Sequence, residues 1–264
     1  MPSPTPFYAR PGLHVECYDA MHEKYLRNSS VAGDAAWYAR LARRTGGPVL
    51  EGGCGTGRVA WTIARAGVAV VGFDRSLPML VRAEAKRDSM PRRARTLARF
   101  VRADFRTFDL GRRFPLAIVP FRAFQSLLTP EDQRRALRRF RDHLRPGGRL
   151  VLDLFDPRLE YCIPGGRSPR DRTTFRHPVR GTRVTVEIGG RVNDPVRQVL
   201  AERWTFREGR RRVERETLTM RWTYRHELHH LCESEGFAVE SEFSDFRGHG
   251  PAYGNEIILV LRRS

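Results

Sequence analysis

Val49-Leu50-Glu51-Gly52-Gly53-Cys54-Gly55-Thr56-Gly57 runs from two apolar residues into a cluster of glycines, and an amphipathic segment from Arg58 to Ala66 follows. Such a succession reads as a strand, a tight turn and a helix. Gly53, Gly55 and Gly57 remove side chains where the backbone must turn sharply and where a ligand can approach it. The helix that follows directs unpaired N–H groups at the same place. The spacing is GxGxG; Arg58 stands where the dinucleotide-binding pattern GxGxxG needs its last glycine.

Downstream, Val68–Phe73 is a continuous apolar run, as expected of a strand buried on both faces, and it ends at Asp74. A carboxylate at that strand end can accept hydrogen bonds from both hydroxyls of a ribose. Ser76 is placed to cap the next helix, with Pro78 in its first turn. Phe100–Ala103 and Leu116–Pro120 read as a third and a fourth strand. Thr129-Pro130-Glu131 signals a helix start, and Ala136, Leu137, Phe140 and Leu144 follow at helical spacing. Pro146-Gly147-Gly148 stops that helix, and Arg149–Phe155 is the fifth strand. Strands alternating with helices imply βαβ units and a parallel sheet.

The pattern changes after residue 160. Residues 164–171, rich in Gly, Pro, Ser and Arg, read as a loop. Three alternating segments, Val179–Ile188, Gln198–Arg207 and Val213–Tyr224, are separated by Gly189-Gly190, Asn193-Asp194-Pro195 and Glu208-Gly209, which suggests a small antiparallel sheet. A helix from His226 to Gly236 and the strands Phe237–Phe243 and Glu256–Leu261 return to the main sheet. Upstream of the glycine cluster, Tyr18-Asp-Ala-Met-His22, Tyr25 and Ala36-Trp37-Tyr38 form an aromatic-rich helical stretch.

The 264 residues carry a formal charge of +18. A basic surface binds phosphates by counterion release. Here the cations are nearly all arginine, with Lys24 and Lys86 as the lysines, and they are spread over the whole chain on helix faces that must be polar anyway. A solvated surface explains this better than a nucleic-acid partner does, and charge alone does not settle the substrate. No apolar run of about 18 residues spans a membrane. Met1-Pro-Ser-Pro-Thr-Pro6 lacks the features of a signal peptide, so a cytoplasmic location is expected. Cys17, Cys54, Cys162 and Cys232 lie far apart, without the pairing of a zinc site or a disulfide framework.

Val49–Gly57 resembles the first motif of the class I S-adenosylmethionine (SAM)-dependent methyltransferases, which bind the methionine part of SAM over this loop. The resemblance extends through about 110 residues. Glu51 matches the acid at the end of the family's first strand, and Asp74 its ribose-binding acid. Asp104, in Arg102-Ala-Asp-Phe105, matches the acid that faces the adenine amino group, with Phe105 beside the ring and Met79 covering it. Val119-Pro-Phe-Arg-Ala-Phe124 resembles the fourth motif, whose first residues, Pro120 among them, lie near the transferred methyl. Leu144-Arg-Pro-Gly-Gly-Arg-Leu-Val151 is similar to the turn before the fifth strand. Gly52, where a larger apolar residue is usual, and Pro115, in place of a common Asp, depart from the pattern. The resemblance implies a Rossmann-like α/β fold with a seven-stranded, mostly parallel sheet, N-terminal lid helices and a small antiparallel β insertion after the fifth strand. It divides the chain into lid helices with a SAM-binding core (1–160), the insertion (161–224), and a helix and strands completing the core sheet (225–264).

Methyl transfer from a sulfonium is driven largely by positioning, so no residue type announces the acceptor. In similar small-molecule methyltransferases the lid helices close over SAM, and Tyr18, Tyr25 and Arg58 are the candidates for holding its methionine carboxylate. Packing of helix on sheet explains the two tyrosines equally well. The insertion resembles that of bacterial glycine and amino-sugar N-methyltransferases, where it walls the acceptor pocket. From its exit, Arg221-Trp-Thr-Tyr-Arg-His226, Tyr224 and His226 are the catalytic candidates, with Arg225 and Asp245 as acceptor contacts; a surface histidine is the bland alternative for His226. His229-His230 lacks a ligand partner and no metal is assigned. The expected activity is methyl transfer to a small-molecule acceptor, at nitrogen before oxygen. The alternatives are an RNA or protein methyltransferase using the arginine surface, or a SAM-binding protein without catalysis. The absence of an Asn/Asp-Pro-Pro-Tyr/Phe fourth motif argues against methylation of base amino groups.

Overall fold

The computed structural model describes residues 6–26, 29–162, 171–210 and 212–264. Helices α1 (Leu13–Glu16), α2 (Tyr18–Leu26) and α3 (Asp34–Thr45) precede β1 (Val49–Gly52). Then come α4 (Arg58–Arg65), β2 (Val70–Asp74), α5 (Leu77–Ala85), α6 (Arg92–Leu97), β3 (Ala98–Arg102), β4 (Phe114–Val119), α7 (Pro130–Asp142) and β5 (Leu144–Phe155). The remainder is α8 (Leu159–Cys162), β6 (Asp171–Arg176), β7 (Arg183–Asp194), β8 (Val199–Glu208), β9 (Arg212–Arg221), α9 (Arg225–Ser234), β10 (Phe237–Phe243) and β11 (Glu256–Arg263). Two helix starts follow from local chemistry. The Ser76 hydroxyl accepts from Met79 N at 3.2 Å, and that of Thr129 from Asp132 N at 3.1 Å, each followed by proline in the first turn.

The large sheet has the order β10-β11-β5-β4-β1-β2-β3. β1 to β5 run parallel, and β11 is antiparallel to both β5 and β10. The chain leaves β1 toward β2 on one side and returns to β4 on the other, so the order reverses there. Open α/β sheets bind ligands beyond the strand ends at such a point. Alternation along the strands supplies two apolar faces. Leu50, Phe73, Leu150 and Leu152 pack with Phe140 of α7 and Leu228 of α9. Val49, Ile118 and Val151 pack with Tyr38 of α3 and Ile63 of α4.

A second sheet, β6-β7-β8-β9, is antiparallel throughout. Its Val184, Val186 and Phe206 are buried against Phe7, Leu13, Cys17 and Met21, so the N-terminal segment packs directly on it. This sheet corrects two expectations. Asp171–Arg176 forms a strand, β6, where a loop was expected through residue 171; the rest of that loop, residues 164–170, lies outside the described residues. Gly189-Gly190 is not a turn: it lies within β7, where the pairing to β8 shifts register between Gly189 and Val192, as glycine in a strand permits. A third correction concerns Leu144, which pairs with Phe114 in β5 instead of closing α7; pairing of β4 with β5 then resumes at Arg149, past Pro146-Gly147-Gly148. Among the described residues no helix is long and apolar enough to cross a membrane.

Candidate active site

A cavity of about 1700 Å³ opens beyond the ends of β1, β2 and β4. Gly53, Gly55, Asp74 and Phe121 line it on the side of the large sheet, and Ile188, Leu200, Trp204 and Met220 on the side of the small one. It exceeds the few hundred to about 1000 Å³ usual for one small ligand, and so has room for two reactants.

Gly53, Gly55 and Gly57 all have left-handed backbones, with φ of 67°, 53° and 73°. A Cβ on Gly53 would also come within 2.6 Å of the Ala123 Cβ. The loop is fastened to the next strand through Asp74: Gly55 N donates to its Oδ2 at 2.9 Å and Ser76 N to its Oδ1 at 2.8 Å. Each oxygen keeps lone-pair capacity for a ligand in the cavity. Burial raises the pKa of Asp74, and the two backbone N–H bonds oppose that shift. Glu51, beneath the loop, is buried and its Oε2 has no partner. Burial pushes its carboxyl up to about 8, against the pull of the Arg58 charge. At Gly52 an added Cβ would lie 2.6 Å from Phe105 and 2.8 Å from Phe140. These rings fill the space that a larger residue would need, which accounts for the departure from the family motif.

The other expected residues are placed unevenly. Tyr18, Tyr25, Met79, Asp104, Phe105 and Pro120 line the cavity. Asp104 is already engaged: Arg106 Nε and Nη2 donate to it at 2.8 and 2.9 Å, and that guanidinium holds its pKa low. Arg58 does not line the cavity. Its two terminal nitrogens donate to Asp34 at 2.7 and 2.5 Å, a buried fork-to-carboxylate pair that leaves it no open grip on a ligand carboxylate. Tyr25 is exposed, its hydroxyl 3.4 Å from Arg122 Nη1. Tyr224 and His226 do not line the cavity: both are exposed at the start of α9, with Tyr224 edge to face with Trp222 at 5.2 Å. Arg225 is bound to Glu242, and Asp245 caps the turn through His249.

Three residues not singled out as site candidates also reach the cavity, two of them within the stretch that resembles the fourth motif. Phe121 and Arg122, just after β4, have φ of 55° and 64°, a strained backbone for residues with side chains. It is held by Asp153, whose Oδ2 accepts from Phe121 N at 2.9 Å while its carbonyl accepts from Arg122 N at 3.0 Å. Arg122 in turn pairs with the buried Glu256 at 2.5 Å. The third is His22, stacked on Tyr18 with ring centroids 3.9 Å apart and edge-on to Phe121 at 4.9 Å. His22 stood in the aromatic-rich stretch, but no spacing distinguished it from a packing residue. Among the described residues no cluster of His, Cys, Asp and Glu could hold a metal ion.

A family model described as a methyltransferase domain matches residues 49–148. The chain is 32% identical over 173 residues to the cypemycin N-terminal methyltransferase of Streptomyces sp, 65% of either chain. It is 31% identical over 144 residues to the dTDP-3-amino-3,4,6-trideoxy-alpha-D-glucopyranose N,N-dimethyltransferase of Streptomyces venezuelae, 53% of this chain and 56% of that one. Both matches thus span less than two thirds of the relative's length. Among solved structures, the CcbJ methyltransferase of Streptomyces caelestis superposes with a TM-score of 0.75 at 25% identity, over 88% of this chain and 95% of that one. The motif loop, the carboxylate at the end of β2, the strand order and these likenesses agree: residues 49–148 form a methyltransferase domain, and the chain is similar to the class I S-adenosylmethionine-dependent methyltransferases.

Proposed function

We propose that this protein transfers a methyl group from SAM to an amine nitrogen of a small-molecule acceptor, and that it does so in the cytoplasm, where its four buried thiols would stay reduced. The observation that carries the proposal is the continuity of one cavity from the glycine loop and Asp74 to the apolar side chains of the small sheet. Bound SAM supplies a methyl carbon already activated on a positively charged sulfur. Asp74 accepts the ribose hydroxyls with the lone pairs left free by Gly55 and Ser76. The bare backbone of Gly53 and Gly55 admits the methionine part, and Met79 and Phe105 flank the adenine. Asp104 takes a share of the adenine amino group only while still bound to Arg106. Tyr18 and Tyr25 close the site from α2. Pro120 and Phe121 border the reacting centre, and Asp153 fixes the backbone of Phe121 and Arg122.

The acceptor enters between that centre and the wall formed by Leu200, Trp204 and Met220. An amine must arrive deprotonated to offer its lone pair, whereas a hydroxyl acceptor benefits from a general base. The name of the Streptomyces venezuelae relative, an N,N-dimethyltransferase, specifies nitrogen as the methylated atom, which supports nitrogen here. Tyr224 and His226 take part in no step.

The test is to follow labelled methyl from SAM in a cell extract supplemented with the protein and separated into small-molecule, RNA and protein fractions. Label is expected in the small-molecule fraction, recovered as an N-methyl amine. Label confined to RNA or protein would contradict the proposal and make the arginine surface the substrate-binding face.

A further inference from the structure

On the acceptor side of the cavity the small sheet presents one face. Trp204 of β8 stands opposite Ile188 of β7, while Leu200 and Glu202 stand opposite Met220 and Leu218 of β9. Side chains directly opposite, and those two apart on one strand, share a face. All six line the cavity. Five are aliphatic or aromatic. The sixth, Glu202, is a carboxylate set between Leu200 and Trp204 and only 8% exposed.

An irregularity in β7 supplies its counter-charge. Gly189 pairs with Arg203 and Val192 with Ala201, so two residues, Gly190 and Arg191, face Glu202 alone. Gly190 has φ of 63°, the left-handed backbone of a glycine that opens a bulge. Regular alternation from Ile188 would aim Arg191 away from the cavity; the extra residue turns it inward. There Arg191 donates to Glu202 through Nε at 2.9 Å and through Nη2, both bonds falling on Oε1. Among the described residues nothing donates to Oε2, whose lone pairs are left open on the cavity side. A buried ion pair contributes no more stability than two well-packed apolar side chains of like volume, and the rest of this face is already apolar. Packing gives no reason for a carboxylate here, whereas a ligand does.

We propose that Glu202 is a specificity-determining residue that accepts a hydrogen bond from a hydroxyl of the acceptor, so that the substrate is an amine whose carbon skeleton also carries a hydroxyl. The assignment rests on the methyltransferase reading above and deepens it. Arg191 already balances the charge of Glu202, so a neutral donor keeps the wall neutral, while an ammonium would leave an excess buried charge. The methylated nitrogen lies across the cavity, beside Pro120 and Phe121, so the hydroxyl belongs to another part of the same molecule. An analogue without it leaves Oε2 buried and unpaired, which is how a site built for a hydroxyl rejects the deoxy compound.

The experiment repeats the labelled-methyl assay with saturating SAM and a dilution series of the small-molecule fraction of the extract, which varies the acceptor. Wild type is compared with Arg191→Met/Glu202→Leu and Arg191→Met/Glu202→Gln. Each variant replaces both members of the pair with neutral side chains, so neither leaves a buried charge behind; the second restores an oxygen that accepts. The fraction concentration giving half-maximal labelling is expected to rise roughly ten- to 150-fold in the Leu variant, with SAM affinity by calorimetry and the maximal rate close to wild type. The Gln variant recovers part of that loss. The product made by wild type, acetylated and weighed by mass spectrometry, should carry at least one O-acetyl group. Half-maximal labelling at the same concentration in all three proteins, equal losses in the two variants, or a product without a hydroxyl overturns the role of Glu202 and leaves the methyltransferase reading intact. A wild type that binds SAM but labels no small molecule overturns both this role and the small-molecule acceptor, and one that does not bind SAM overturns the methyltransferase reading itself.

Discussion

Asp74 holds the glycine loop to the head of α5 before any ligand arrives, one oxygen taking Gly55 N and the other Ser76 N. Its place at a strand end after a glycine motif was legible in the sequence. Its two backbone bonds were not, because they depend on how the loop turns back. Glu51 was legible in the same way, yet its burial without a partner for Oε2 shows only in the structure. Its folded-state pKa, about 8, lies above the ordinary 4.5, so between these values the folded protein holds a proton that the unfolded chain has released. The stability this adds is complete below the ordinary value and is lost as pH rises through about 8. Glu51→Gln mimics the protonated form at every pH. Melting temperatures should therefore nearly coincide at about pH 5 and separate in favour of the variant at about pH 8.5; a constant separation would mean that Glu51 is ionised in the folded protein. Arg58 shows the limit at this scale. Its position after the loop suggested a carboxylate grip, but its actual partner, Asp34, comes from a different element.

Among the elements, α2 is the one whose position decides whether the cavity is closed. Asp19 ties it to the glycine loop, accepting from Thr56 Oγ1 at 2.6 Å and from Lys86 Nζ at 2.8 Å. Lys86 also donates to the Thr56 carbonyl at 3.0 Å, so the end of α5 joins the same knot. Asp19→Ala removes two charge-assisted bonds and leaves the rest standing. Amide exchange over 18–26 should accelerate roughly five- to tenfold, with no change in β1, β4 or β5. Uniform acceleration would mean that Asp19 supports the whole fold, and no acceleration that α2 is held by its apolar face alone. Elements with strong periodicity or cap chemistry, such as α7 behind Thr129-Pro130 and β10, were readable to within a residue or two. β6 was not: Asp171-Arg-Thr-Thr-Phe-Arg176 carries one large apolar side chain, and its strand form comes from pairing with β7. Tyr224 and His226 misled for a related reason. The junction from β9 to α9 was read correctly, but nothing in residue order says which way its side chains point.

The molecule as a whole is two sheets with the N-terminal segment between them. Phe7 and Leu13 pack on the small sheet, Leu13 N donates to Glu214 at 2.6 Å, and Ser76 Oγ donates to the Tyr8 carbonyl at 2.5 Å. One stretch of chain thus touches the wall on the acceptor side and the loop on the cofactor side. The large sheet was legible because each βαβ unit declares itself locally. The cavity was not, because it exists only where distant segments meet, and the stack of Tyr18 and His22 against Phe121 is the clearest case. Much of the arginine surface is internally committed as well: Arg134 and Arg138 share Glu235, and Arg180 and Arg212 share Glu16. The central claim is that this cavity binds SAM with Asp74 on its ribose. Calorimetric titration of SAM into wild type and Asp74→Ala, with the folded state of each checked by circular dichroism, tests it most directly. Wild type should bind, and the folded variant should bind about 1–3 kcal/mol more weakly, roughly five- to 150-fold. Equal affinity for the two folded proteins would contradict the ribose assignment and, with it, the orientation of SAM on which the account depends.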